Sequence, residues 1–185
     1  MHLLLANNSA SGGGAAPAFE SIASTTLSSA QTTITFSSIP STYQHLQLRI
    51  LAWGGSVMTL RFNNDSGSTQ YRTHGLIGQG ALVYAQATAA QSSIHCHQQT
   101  SLSAGNNYPS GAIIDLHDYA NTSKNTTARI FFGKEDNGTS NGSVELTSGL
   151  WLSTAALNRI DIINDGGSFF DSGSTFALYG TKGAA

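Results

Sequence analysis

The sequence predicts an all-β protein, an antiparallel β-sandwich of jelly-roll type with a short extended N-terminal arm. Apolar residues recur with a period of two from Phe19 onward, which is the period of a strand with one buried face. The periodic runs last about 4–8 residues and alternate with clusters of Asn, Asp and Gly that favour tight turns. No segment combines helical periodicity with capping residues, and the best candidate, 153–157, predicts a single helical turn.

The N-terminal arm is predicted over residues 1–18. Leu3, Leu4 and Leu5 form an apolar cluster, and a Gly- and Ser-rich linker over 7–14 separates this cluster from the first periodic run. The cluster is interpreted either as a frayed terminus or as an arm that docks on a neighbouring subunit. Residues 19–185 then form one β-sandwich domain, long enough to enclose a hydrophobic core.

Eight runs after the arm show the alternation expected of half-buried strands, in which every second side chain shares a face. In the sixth run, Val144 and Leu146 flank Glu145. The Ala-rich stretch 81–90 has neither caps nor charges and is predicted as strand or loop. The number and spacing of the eight runs favour an antiparallel sandwich over a parallel α/β sheet. The runs are 33–36, 46–52, 58–62, 112–117, 128–132, 144–146, 160–162 and 176–179.

Composition excludes several classes of function. Only 10% of residues are charged and the formal net charge is −2, so the chain lacks the basic surface that nucleic-acid binding requires. No stretch approaches the roughly 20 apolar residues that span a bilayer, and the first residues lack the basic region of a signal peptide. A single cysteine, Cys96, cannot form an internal disulfide. The 8 Phe, 6 Tyr and 2 Trp argue against disorder.

His95 and His97 flank Cys96 and could face the same side of a strand, with Cys96 directed at the core. Two imidazoles supply only half of the four ligands that zinc normally takes, and no spaced partner is evident. The pair is therefore interpreted as two histidines on a polar strand face with a buried thiol behind. A metal site shared between subunits around a symmetry axis is the alternative.

Asp115, His117, Asp118 and Tyr119 form the densest ionisable cluster of the sequence. A Ser-His-Asp site would need a nucleophile on a defined turn, and no G-x-S-x-G motif occurs. The cluster is interpreted as a strand end, with Asp118 in a turn and Tyr119 packed at the sheet edge. Because no nucleophile, acid–base pair or complete metal site can be assembled, the sequence predicts neither an enzyme nor a cofactor.

The loop 63–67, Asn-Asn-Asp-Ser-Gly, has two interpretations. Asp65 and its neighbours resemble a calcium-binding loop, but the Glu that closes a twelve-residue calcium loop is missing. We therefore interpret it as a hairpin turn. Similar turn clusters lie at 105–109, 136–138, 141–142 and 164–167.

Five aromatic residues could form a platform on which a sugar stacks, or could pack in the core or an interface. The packing interpretation is preferred, and it makes Trp53 and Trp151, together with Leu3, Leu4 and Leu5, the candidate interface residues. The five aromatic residues are Trp53, Tyr71, Tyr84, Tyr108 and Trp151.

Several segments together resemble a family of small virion structural proteins encoded by tailed bacteriophages, including phages of cyanobacteria and marine bacteria. The resemblance spans 19–183, nearly the whole chain, and the arm lies outside it. The segments are 19–23, 34–49, 60–67 with Tyr71, 114–124 and 176–183.

The resemblance implies a virion component that is assembled in the host cytoplasm. The expected function is a capsid decoration protein, trimeric, that binds the major capsid protein or other virion proteins without contacting nucleic acid or membrane. The scarcity of charge suits this role, because charged edge residues normally keep sheets from associating. The alternative is a tail- or fibre-associated module that binds a receptor glycan.

Overall fold

The computed structural model describes residues 18–97, 102, 108–135 and 142–182. Within these residues the chain forms twelve strands and no helix. The strands are β1 (Phe19–Thr26), β2 (Thr33–Phe36), β3 (His45–Ala52), β4 (Met58–Phe62), β5 (Tyr71–Gln79), β6 (Leu82–Gln91), β7 (Ile94–His95), β8 (Ser110–His117), β9 (Thr126–Lys134), β10 (Ser143–Trp151), β11 (Ile160–Asn164) and β12 (Thr175–Thr181).

The strands form two sheets, and every pairing is antiparallel. The large sheet has eight strands in the order β1-β12-β3-β8-β9-β10-β5-β6, and the small sheet has four in the order β2-β11-β4-β7. The all-β antiparallel sandwich predicted from the sequence is therefore confirmed. The stretch 81–90, predicted as strand or loop, forms most of β6.

The core lies between the two sheets and comes from the alternation seen in the sequence. Leu46, Leu48 and Ile114 of the large sheet are fully buried, as are Leu60 and Ile162 of the small sheet. These residues belong to one continuous apolar cluster, so each of the two sheets covers one face of the other.

The helical turn predicted over 153–157 does not form. Two of its backbone groups have partners elsewhere in the fold: Leu157 N–H donates to the Tyr119 carbonyl at 2.9 Å, and the Ala156 carbonyl accepts from Asn63 Nδ2 at 2.9 Å. These bonds hold the segment in an irregular path that leads into β11.

Strand β10 has the opposite orientation to the one its sequence alternation suggests. Val144 and Leu146 point outward and are about half exposed, whereas Glu145 between them is fully buried. The cause is Trp151 at the end of the same strand, which is buried in the core. Since β10 pairs without a register shift on both sides, an inward Trp151 places every second residue before it inward, including Glu145.

The loop 63–67 is a turn, as predicted, but it does not close a hairpin. It joins β4 of the small sheet to β5 of the large sheet. Asn63 and Asn64 adopt the left-handed conformation, with φ of 50° and 58°, and so turn the chain from one sheet to the other.

Candidate functional site

The structure places His97 inside the protein rather than on a polar strand face beside His95. Strand β7 ends at His95, so the alternation does not extend to His97. The His97 ring stacks on Phe132 with centroids 4.2 Å apart, and its Nε2 accepts the Met58 N–H at 2.9 Å. That hydrogen bond uses the lone pair that a metal ion would need.

The two residues before His97, His95 and Cys96, are both affected by burial. Burial lowers the pKa of His95, against a weaker opposite effect of Asp165, and burial strongly raises the pKa of the Cys96 thiol. Cys96 faces the core as predicted. Across the described ranges, no group of three or more His, Cys, Asp or Glu side chains is placed to hold a metal ion.

The cluster after β8 is a strand end and turn. Asp118 has φ of 49°, its carboxylate binds the Lys124 ammonium, and Lys124 followed by His45 and His117 lowers the pKa of that carboxyl. Tyr119 differs from the sequence prediction, because it is fully buried instead of packing at the sheet edge. Its hydroxyl donates to the Pro40 carbonyl.

Asp65 is held by protein donors rather than poised to bind calcium. One carboxylate oxygen accepts the Gly67 N–H at 3.0 Å, and the other accepts the Trp151 indole N–H at 2.8 Å. Tyr71 adds a third bond, since its hydroxyl donates to the Asp65 carbonyl at 3.0 Å. The carboxylate therefore fixes the turn between the sheets to the end of β10.

The five aromatic residues do not assemble into a platform. Tyr71 and Trp151 are buried in the core, Trp53 is half-buried beside Gly173, and Tyr108 is exposed. Because its side chain is buried in the core, Trp151 is not retained as a candidate interface residue. Leu3, Leu4 and Leu5 lie outside the described residues.

The strongest candidate site lies on the outer face of the large sheet, the side that the small sheet does not cover. Four large apolar side chains on four adjacent strands share one register line across this face and are between 42% and 57% exposed. We call these four the ridge row. They are Ile113 on β8, Phe131 on β9, Leu146 on β10 and Leu76 on β5.

A second line of paired residues runs beside the ridge row, two residues away from it on every strand and always on the same side. Three of its members are glycines. A Cβ at Gly111 or Gly133 would meet no atom of the residues that the structure describes within 4 Å, so these residues leave open space above the two glycines. We call this line the glycine row. It consists of Leu51 on β3, Gly111 on β8, Gly133 on β9, Val144 on β10 and Gly78 on β5.

The ridge row divides the outer face into two hollows, and Ile113 and Phe131 line both of them. The hollow over β5, β6, β9 and β10 has a volume of about 760 Å³. The hollow over the β3, β8 and β9 end of the glycine row, which extends to Tyr179 on β12, has a volume of about 500 Å³. Both are broad and mainly apolar.

On the side of the ridge row away from the glycine row, polar side chains form part of the lining of the larger hollow. Gln47 donates to Asp115 at 2.8 Å, and Arg129, which pairs in register with Asp115, donates to Ser148 at 3.0 Å. Arg49 on β3 lies in register with Ile113, so it continues the ridge line, and it is 5.4 Å from the centre of the Tyr179 ring. These groups therefore form a polar margin whose members contact one another.

Sequence reasoning missed this face, although a signal was present. Ile113 and Ile114, like Phe131 and Phe132, are consecutive apolar residues, and only one member of such a pair can face the core of a sandwich. The second member must lie on the outer side of the sheet.

No family model matches the chain, and the comparisons find no similar curated protein and no similar solved structure. The described part of the chain contains no helix that could cross a membrane.

Proposed function

We propose that this chain is a structural protein of a tailed-bacteriophage particle, a capsid decoration protein that binds the head shell through the outer face of its large sheet. The observation that carries the proposal is the ridge row, four exposed apolar side chains in one line across adjacent strands. Soluble monomers seldom leave a large contiguous apolar patch in water, and such patches mark binding surfaces.

The strand order supports a jelly roll, a fold common among viral capsid domains. Without β5, β6, β9 and β10, eight strands remain. One sheet then holds the first, eighth, third and sixth of these, and the other holds the second, seventh, fourth and fifth. This is the order of the two sheets of a jelly roll. The four additional strands extend the large sheet, and three of them carry ridge-row residues.

The chemistry of the face also favours a protein partner. The four residues of the ridge row and the five of the glycine row are uncharged, whereas Arg49 ends the ridge line on β3 and the line on the far side contains Asp115 and Arg129. An apolar centre with a polar margin is the usual anatomy of a protein–protein interface.

Replacing Phe131 with Asp tests the proposal. The charge would lie at the centre of the contact, so we expect the variant to lose most of its binding to phage heads that lack this protein. Co-sedimentation of recombinant protein with such heads measures the loss. Phe169→Asp is the matched control, because Phe169 is exposed to the same degree but lies in the loop before β12.

Equal binding by both variants, or no binding by the unmodified chain, would contradict the proposal. Circular dichroism and thermal unfolding confirm that each variant is folded.

The alternative, a receptor- or glycan-binding module, gains no support from the five aromatic residues named above, since Tyr71 and Trp151 are buried. Glycan-array binding by the unmodified chain, abolished by substitutions on the outer face, would favour it over decoration.

A further inference from the structure

We propose that the outer face binds a second copy of this chain, and that the two copies are related by a twofold axis running across the strands between the ridge row and the glycine row. This inference rests on the proposed docking role of the outer face: the second copy covers the face in the free protein, and the head shell takes the place of that copy when the chain docks. Three properties of the face carry it: shape, charge and area.

The register determines which side chains meet across the axis. Two copies face each other through their outer faces, and the axis lies between the two sheets at right angles to the strands. Each strand then lies opposite the same strand of the partner, and the ridge row of one copy lies opposite the glycine row of the other. Phe131 then faces the partner's Gly133, and Ile113 faces the partner's Gly111. On β5, Leu76 likewise faces the partner's Gly78.

Large side chains therefore meet glycines on three of the four ridge strands. The hollow over Gly111 and Gly133, about 500 Å³, has room for both an isoleucine and a phenylalanine side chain. Packed layers alternate large and small residues in this manner. A glycine inside a strand weakens the strand, and it is expected where another chain approaches closely. Among the described residues, no atom lies within 4 Å of a Cβ built on either of these two glycines.

The charges agree with the same axis. Arg129 lies on the outer side of β9, two residues before Phe131 of the ridge row. Glu135 directly follows β9, two residues after Gly133, and lines a hollow together with Gly78 and Val144 of the glycine row. Exchange of the rows places Arg129 opposite the partner's Glu135, and the symmetry produces this pair twice. The Glu135 carboxylate lies on this face, where a Cβ on Gly142 would be 2.8 Å from Oε2.

The area of the face is sufficient for a stable pair. From β3 to β6 the large sheet has six strands. With about 4.8 Å between strands and about eight residues per strand at about 3.4 Å each, this part of the face covers about 800 Å². Stable interfaces of standard size bury about 800 Å² on each partner. The expected arrangement is thus a twofold pair, and not the trimer predicted from the sequence.

Gly133→Val is the most informative variant. A Cβ at Gly133 has no atom of the described residues within 4 Å, so the variant should fold with unchanged or higher thermal stability. It would occupy the space that the partner's Phe131 requires. Light scattering during gel filtration should give the mass of two chains for the unmodified protein and of one chain for the variant.

Thr127→Val is the matched control, because Thr127 lies on the outer side of the same strand, away from the axis. It should keep the mass of two chains.

A charge exchange tests the register independently. Arg129→Glu and Glu135→Arg should each weaken the pair at least tenfold in dissociation constant, and the double variant should recover most of the affinity. No recovery would contradict the proposed axis.

The test separates this inference from the proposed function. A monomeric unmodified chain that still binds phage heads through Phe131 overturns the second copy as partner and leaves the decoration role standing. A pair that Gly133→Val does not disrupt overturns the inference as well. A trimer in solution overturns the twofold axis.

Discussion

At the scale of single residues, three side chains join the turn between the sheets to the core. The Asp65 carboxylate accepts from Gly67 and from the Trp151 indole, and the Tyr71 hydroxyl accepts the Phe62 N–H at 3.0 Å while it donates to the Asp65 carbonyl. Burial raises the pKa of Tyr71 to about 12 from an ordinary value of 10. The neutral hydroxyl is therefore part of the folded structure.

Tyr71→Phe should lower the free energy of unfolding by about 1–2 kcal/mol at neutral pH, since it removes buried hydrogen bonds. The raised pKa means that the folded state binds the phenolic proton more tightly than the unfolded state. This stabilisation is complete below pH 10 and is lost as the pH rises through 12. Between pH 8 and pH 11, the free energy of unfolding measured in urea should decrease less for Tyr71→Phe than for the unmodified chain.

Tyr179→Phe is the control at the same protein concentration, because Tyr179 lies on the outer face of β12 and is only half-buried. Tyr179→Phe should change the free energy of unfolding by no more than about 0.5 kcal/mol. Equal effects of the two substitutions would contradict the role assigned to Tyr71.

At the scale of elements, Gly149 allows β7 to pack against β10. A Cβ at Gly149 would lie 2.6 Å from Cγ2 and 2.7 Å from Cδ1 of Ile94, which is fully buried. Gly149→Ala should therefore destabilise the protein by about 1–3 kcal/mol through overpacking. Urea unfolding measures the change.

A double-mutant cycle identifies the cause. Ile94→Ala removes the atoms that the new methyl group would strike, so the double variant should be destabilised by less than the sum of the two single effects. Strict additivity would show that the two residues do not contact each other as described.

The sequence predicts most strands correctly because their inward residues are apolar and alternate. Strand β5 was not predicted, since its inward residues include Thr73 and Gly75, which carry no hydrophobic signal. The orientation of β10 also could not be read from 144–146 alone, because Trp151, five residues later, determines which side faces the core. Which strands lie side by side depends on pairing between distant segments and not on local pattern.

The candidate site was less predictable than the fold. Trp53 and Trp151 were chosen as large aromatic residues, but the size of a side chain does not indicate which side of a sheet it occupies. The ridge row becomes visible only when β8, β9, β10 and β5 lie side by side and bring Ile113 and Phe131 into one line with Leu146.

At the scale of the whole molecule, low charge and the outer face have one explanation. With only 10% charged residues, the protein has few groups that would keep a neighbouring sheet away. The strands that extend the large sheet place apolar side chains where most sandwiches have polar ones. Both features are expected of a protein that is covered by neighbours in its working state.

The proposed decoration role is tested most directly by cryo-electron microscopy of the assembled phage particle. The account predicts density for the chain on the head, with Phe131 and the rest of the ridge row covered by another subunit. A reconstruction in which the head lacks this chain, or in which the ridge row faces solvent, would contradict it.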